Sequence, residues 1–89
     1  MIKIEQKSDD VFMVTVLADD ETQHEVTLDD AYYEELTCSK IDKEELIRRS
    51  FVFLLGRESN TEILTSFHLK KIQEYFPDFE KTTKKLCAA

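Results

Sequence analysis

Residues 24–58 constrain the fold of this chain more than any other part of the sequence. Alternating apolar and polar residues predict a short strand over residues 23–28, and two helix-start signals follow it. Asp29 can cap the first helix, while Asp42 and Glu45 have the spacing of a capping box before the second. The segment therefore predicts a strand, a short helix, a polar turn and a longer amphipathic helix.

Two further strands are predicted ahead of this segment. Ile2 and Ile4 alternate with charged residues, and the run VFMVTVLA over residues 11–18 is rich in β-branched and aromatic side chains. Polar breaks at residues 8–10 and 19–21 separate the strands. Because short connections join antiparallel neighbours, we predict a three-stranded antiparallel meander with residues 11–18 at its centre.

The remainder of the chain carries helical signals. Ser59 and Ser66 are candidate caps of successive helices, and Pro77 should end the second of them before a terminal helix begins. The sequence therefore predicts an α+β fold: an N-terminal three-stranded antiparallel meander followed by four or five helices. A chain of this length predicts a single domain over residues 1–89.

The chain is acidic, and its charge is unevenly distributed. The formal net charge is −7; residues 1–45 contain 14 acidic and 4 basic residues, and residues 46–89 contain 5 and 8. The acidic half would repel the phosphates of nucleic acid and of anionic lipid. It permits a basic partner or internal pairing of the two halves, whereas a solvated acidic face is the simpler interpretation.

No targeting or membrane segment is predicted. No apolar run approaches the ~20 residues of a membrane span, and the start MIKIEQKSDD lacks the apolar block of a signal peptide, so we expect a cytoplasmic protein. Cys38 and Cys87 are then expected to be free thiols. Two cysteines and two histidines without ligand-like spacing predict no metal site, and no cofactor motif is visible.

The sequence does not predict an enzyme. Cys38 with His24 is the one nucleophile and base pair to consider, but nothing near Cys38 would activate a thiol. His24 shares a strand face with Val26, so a partly buried histidine is the plainer interpretation, and His68 is expected near a helix start. A single glycine excludes a glycine-rich phosphate loop.

In the order of its elements, the segment over residues 24–58 resembles the ribbon-helix-helix family of bacterial repressors and antitoxins. The resemblance implies a strand that pairs across a dimer, with Gln23, Glu25 and Thr27 directed into the DNA major groove. Glu25 and the acidic helix start at residues 42–45 oppose phosphate, and the two preceding strands offer an intramolecular partner. Phosphate contacts in such a protein would fall to Arg48, Arg49, Arg57, Lys70 and Lys71.

The strings EELIRRSFVFLLGRESNTEIL and SFHLKKIQEYFPDFE lie within residues 24–80. They are similar to a family of small, uncharacterised bacterial proteins that share an SFxFLLxRE segment and a YFPxFE ending. The resemblance implies a folded domain and assigns no activity to it.

The leading functional hypothesis is a non-enzymatic protein-interaction module that binds a protein partner or self-associates. It rests on the wide apolar surface of the second helix, the longer of the two, and on the aromatic residues around Pro77. Aromatic and arginine side chains often anchor interfaces. The candidate partner-binding residues are Arg48, Arg49, Val52, Phe53, Tyr75 and Phe79. A ribbon-helix-helix transcription regulator or antitoxin is the alternative; otherwise neither nucleic acid nor membrane is an expected partner.

Overall fold

The protein folds as a four-stranded sheet with helices packed on one face. The computed structural model describes the backbone of residues 1–87 and the side chains of residues 1–85, so the prediction for the thiol of Cys87 falls outside the described side chains. The strands are β1 (Ile2–Gln6), β2 (Val11–Leu17), β3 (Glu21–Thr27) and β4 (Ser66–His68). The helices are α1 (Asp30–Thr37), α2 (Lys43–Leu55), α3 (Lys71–Tyr75) and α4 (Phe79–Cys87), with a short 3₁₀ helix at Asn60–Glu62.

The α+β class is confirmed, and the sheet contains the predicted meander. The strand order is β1-β2-β3-β4, and the first three strands pair antiparallel. Val14 at the centre of β2 pairs with Ile4 on one side and His24 on the other. The sheet is mixed rather than purely antiparallel, because β4 pairs parallel to β3.

The fourth strand corrects the prediction of a helix capped by Ser66. The N–H of Glu25 donates to the carbonyl of Thr65 over 2.8 Å, and the N–H of Leu69 donates to the carbonyl of Thr27 over 2.9 Å. These bonds satisfy backbone groups on the outer side of β3 that the meander alone would leave unpaired. The long-range pairing therefore overrides the local helical spacing around residue 69.

The connection between α2 and β4 is also less helical than predicted. Ser59 makes no capping bond to the backbone of the 3₁₀ helix, and its hydroxyl instead lies 2.8 Å from that of Thr61. The helix α3 has only five residues and ends before Pro77, as expected from the geometry that proline imposes on its predecessor. No helix in the described part of the chain is long and apolar enough to cross a membrane.

The two predicted aspartate caps are confirmed. An oxygen of Asp29 accepts a hydrogen bond from the N–H of Tyr32, and an oxygen of Asp42 accepts one from the N–H of Glu45, both over 2.8 Å. Each bond satisfies one of the amide groups that the first turn of a helix leaves without a partner. The caps therefore fix where α1 and α2 begin.

A single core lies between the sheet and the helices. From the sheet, β2 contributes Phe12, Val14 and Val16, and α2 covers them with a side that includes Ile47 and Phe51. The alternate side chains of β2 are only half-buried because they lie on the opposite, open face of the sheet. The fold therefore has two layers, the sheet and the helices, with the core between them, and the other face of the sheet meets solvent.

Candidate functional site

A groove lies on the helix side of the sheet, where the end of α2, the 3₁₀ helix, β4 and α3 meet. It encloses a volume of about 370 Å³. Its apolar lining consists of Leu54, Ile63, Leu64, Phe67, Ile72 and Phe76, and Tyr75 completes it. An apolar cavity of this size is within the range of ~300 to ~1,000 Å³ that ligand-binding sites occupy.

The groove exists because the elements between α2 and α4, namely the 3₁₀ helix, β4 and α3, are short. At the end of α2, the carbonyl of Leu54 accepts hydrogen bonds from the N–H groups of Arg57 and Glu58, over 2.9 Å each. The chain then returns to the sheet as β4, and α3 places Ile72 in the core before Pro77 ends it. One turn and a half of helix does not fill the space beside the end of α2, and the groove remains.

Two exposed apolar side chains lie at the rim of the groove. Tyr75 is 60 % exposed and Leu64 is 41 % exposed, whereas Val52 and Met1 are the other large apolar residues of comparable exposure among the described side chains. Tyr75 and Leu64 both line the groove. Exposed apolar groups that line one groove characterise binding surfaces more than scattered single ones do.

The groove carries an unbalanced negative charge. Glu58, Glu62 and Lys71 line it, and the Nζ of Lys71 lies 3.5 Å from the Oε1 of Glu74. Among the described side chains, no basic nitrogen lies within 4.0 Å of the carboxylates of Glu58 and Glu62. Burial, together with the negative charge of Glu62, raises the pKa of Glu58.

The two arginines predicted to bind a partner are both held by the chain itself. The Nη1 of Arg48 donates to the carbonyl of Ile2 over 3.1 Å, which covers part of the edge of β1. The Nε of Arg49 donates to Glu45 over 2.9 Å along the surface of α2. Neither arginine lines the groove.

The predicted aromatic residues divide between the surface and the core. Phe53 packs edge-on against Phe76 and Phe79, with ring centroids 6.0 Å and 5.4 Å apart, and the guanidinium of Arg57 lies 3.7 Å from the centre of the Phe53 ring. Phe79 is fully buried and belongs to the core, whereas Val52 is 61 % exposed outside the groove. Of the six candidate residues, Tyr75 is the one that lines the groove.

Sequence reasoning missed most of the groove. Leu64, Phe67, Glu58 and Glu62 are not among the candidates, because the sequence pattern assigns the segment that contains them to helices and to the core. The signal that was present is the string Thr65-Ser66-Phe67, whose hydroxyl and aromatic residues suit an edge strand better than a helix. With that strand placed, Leu64 would have been expected near the edge of the sheet.

A second cavity of about 410 Å³, lined mostly by charged and polar residues, lies beside the start of α1. The Nε2 of His68 lies 3.3 Å from Asp29, and its Nδ1 accepts the N–H of Lys70 over 3.0 Å. The hydroxyl of Tyr32 donates to Glu80 over 2.9 Å, and burial followed by this contact raises the pKa of Tyr32. The imidazole of His68 and the hydroxyl of Tyr32 are therefore each bonded to other groups of the fold.

The one candidate catalytic pair does not form a dyad. Cys38 is exposed at the left-handed C-cap of α1, whereas His24 is buried, with its ring nitrogens 2.7 Å from the carbonyl of Leu64 and 2.9 Å from the hydroxyl of Thr22. Both nitrogens of His24 are therefore engaged within the fold. Among the described residues, no group of three or more histidine, cysteine, aspartate or glutamate side chains could hold a metal ion.

The strand that resembles the ribbon of ribbon-helix-helix proteins is paired on both sides over Glu25–Thr27. β3 pairs with β2 along its whole length and with β4 over these three residues, so pairing them with a second copy would require one of these ladders to separate. Gln23 and Glu25 are exposed on the open face of the sheet. Arg57 is also paired, because its Nη2 lies 2.8 Å from Asp78.

Comparisons of this chain with protein-family models, with curated protein sequences and with solved structures find no match.

Proposed function

We propose that this protein is a non-enzymatic protein-interaction module that binds a segment of another protein in the groove. The observation that carries the proposal is that the exposed side chains of Leu64 and Tyr75 both line one apolar cavity of about 370 Å³. Removing apolar surface from water contributes roughly 25 cal/mol per Å², and tyrosine is a frequent anchor of interfaces.

The chemistry of the groove supports binding rather than catalysis. Its charged groups are two glutamates and one lysine, Tyr75 contributes a hydroxyl, and no histidine, cysteine or serine lines it among the described residues. A hydrolytic or transfer site needs a nucleophile, a base that activates it and a group that stabilises the developing charge. The groove instead offers apolar walls that include two glutamates and one lysine, which is the composition of a docking surface.

Selection from a library of random peptides displayed on phage tests the proposal. The target is the folded protein, with counter-selection against a variant that carries Leu64→Ser and Tyr75→Ser. Both side chains are substantially exposed, so this variant should fold. Val52→Ser is the matched control, because Val52 is exposed to the same degree as Tyr75 but lies outside the groove.

We expect peptides that bind the natural protein and the Val52→Ser variant equally and that bind the double variant about tenfold more weakly, a loss of ~1.4 kcal/mol. The proposal fails if no peptide is enriched or if the enriched peptides bind the double variant as tightly as the natural protein. Enriched peptides that lose affinity for the Val52→Ser variant would place the interaction surface on α2 instead.

A further inference from the structure

We infer that the groove is specific for an extended basic segment of a partner protein. That segment pairs with the outer edge of β4, inserts an apolar side chain into the groove and places a lysine or arginine against Glu58 and Glu62. The inference rests on the proposed function and adds to it the conformation and the charge of the partner.

The outer edge of β4 provides the backbone groups for such pairing. The carbonyl of Thr65 and the N–H of Leu69 bond to β3, and peptide groups alternate in direction along a strand. The N–H and carbonyl groups of Ser66 and His68 therefore point away from β3. No strand pairs with this edge within the described part of the chain, and edges of this kind bind extended peptides by adding a strand.

Strand addition at this edge would direct a side chain into the groove. Phe67 lies in register with Val26, which is fully buried beneath the helices, so Phe67 is on the helix face of the sheet. Directly opposed residues on neighbouring strands share a face, with Cβ atoms about 5 Å apart. The residue paired with Phe67 would therefore enter the groove, while its two neighbours would point to the open face.

The negative charge of the groove favours a cationic side chain of the partner. Glu58 is half-buried, lies near a second carboxylate at Glu62, and has no basic partner among the described side chains. The lysine that lines the groove, Lys71, is already paired with Glu74. A lysine or arginine from the partner would relieve the repulsion between the glutamates, whereas an acidic side chain would increase it. The same repulsion disfavours a phosphate group.

Fluorescence anisotropy with three labelled peptides tests the inference. The peptides share an extended, alternating sequence with a central leucine, and they carry lysine, norleucine or glutamate at the position next to the leucine on the same face. A fourth peptide is the lysine peptide with N-methyl groups on the amides that would pair with β4. Each peptide is titrated with the natural protein and with two variants.

The first variant carries Glu58→Gln and Glu62→Gln. The second carries Glu21→Gln and Glu25→Gln on the open face of the sheet, which changes the net charge by the same amount away from the groove. We expect the natural protein to bind the lysine peptide about tenfold more tightly than the norleucine peptide, and the glutamate peptide more weakly than either. The first variant should bind the lysine and norleucine peptides equally, the second should retain the preference, and N-methylation should abolish binding.

The outcomes separate the inference from the proposed function. Equal binding of the lysine and norleucine peptides by the natural protein would overturn the inference, as would a preference that survives in the first variant. If none of these peptides binds but the random library yields ligands that depend on Leu64 and Tyr75, the inference is wrong and the proposed function stands. A dimer of the natural protein that dissociates in the Leu64→Ser and Tyr75→Ser variant would identify the occupant as a second copy, which also overturns the inference.

Discussion

Buried polar residues connect the N-terminal strands to the second half of the chain. The carbonyl of Leu64 can only accept a hydrogen bond, so the Nδ1 of His24 carries the hydrogen and donates it. Nearby, the side-chain amide of Asn60 donates to the carbonyl of Asp20 over 2.8 Å and to the hydroxyl of Thr22 over 3.0 Å. These bonds hold the segment that forms one wall of the groove against β3.

Replacing His24 with leucine should therefore lower the free energy of unfolding. The substitution places an apolar side chain in the core but leaves the partly buried carbonyl of Leu64 without its donor, at a cost of about 2 kcal/mol. Urea unfolding followed by circular dichroism measures the change. His68→Leu serves as the control, because that ring is partly exposed, and we expect a change of less than about 1 kcal/mol. A loss below about 0.5 kcal/mol for His24→Leu would contradict the assigned role of this ring.

The hydroxyl of Tyr32 should stabilise the packing of α1 against α4. Tyr32 is buried and donates to the carboxylate of Glu80, and a hydrogen bond to a charged group contributes about 1.5 to 3 kcal/mol. Because Glu80 is partly exposed, we expect Tyr32→Phe to cost about 1 kcal/mol. Tyr75→Phe removes a hydroxyl from an exposed tyrosine and should change the stability by less than about 0.5 kcal/mol. Equal effects of the two substitutions would show that the contact with Glu80 contributes nothing.

At the scale of elements, local signals predicted the structure where they act over a few residues. Asp29 and Asp42 mark the starts of α1 and α2 because a cap bonds to an amide three residues later. β4 could not be predicted in this way, since its pairing depends on Glu25 and Thr27, about 40 residues earlier in the chain. The groove could not be predicted for the same reason. Tyr75 was predicted as a surface anchor, but the residues around it depend on where β4 lies.

The cap of α2 can be tested by substitution. Asp42→Ala removes the acceptor for the N–H of Glu45 and should lower the free energy of unfolding by about 1 kcal/mol. Asp42→Ser supplies another capping oxygen and should retain most of the stability. Thermal or urea unfolding of the two variants provides the comparison. If serine is as destabilising as alanine, the capping bond does not account for the effect.

The cap of α1 should make the stability depend on pH. The N–H of Tyr32, and to a lesser extent His68, lower the pKa of Asp29 below its ordinary value of 3.8. The carboxylate therefore contributes stability above the pKa of the unfolded chain, and this contribution is lost as the pH falls through the lower pKa of the folded state. The amide introduced by Asp29→Asn does not titrate, so the stability advantage of the natural protein over this variant should shrink between about pH 6 and about pH 3. An advantage that stays constant over this range would contradict the assignment.

At the scale of the whole molecule, the surfaces of the sheet and of the helices differ in character. The open face of the sheet carries Glu21 and Glu25 beside half-buried side chains of β2, and the helix side carries the groove. The sequence itself shows that the first half of the chain is acidic. It also predicted which strand residues point outward, because period-two alternation assigns faces directly. It could not predict the groove, which arises from the relative positions of α2, β4 and α3.

We expect the isolated protein to be monomeric. β3 is paired with β2 along its length and with β4 over Glu25–Thr27, and a net charge of −7 opposes association of like molecules. Sedimentation equilibrium over a wide concentration range should give the mass of a single chain. A stable dimer would contradict this expectation and would support the self-association that the sequence also suggested.

The proposed partner-binding surface is the groove beside Tyr75. Chemical-shift mapping by NMR can locate bound peptide residue by residue: the ¹⁵N-labelled protein is titrated with a peptide selected from the random library. We predict that the largest shifts fall on residues 58–68 and 71–76, which contain most of the groove and the edge of β4. Shifts concentrated on residues 13, 15, 21, 23 and 25, on the open face of the sheet, would instead place the partner on the opposite side of the molecule and refute the proposal.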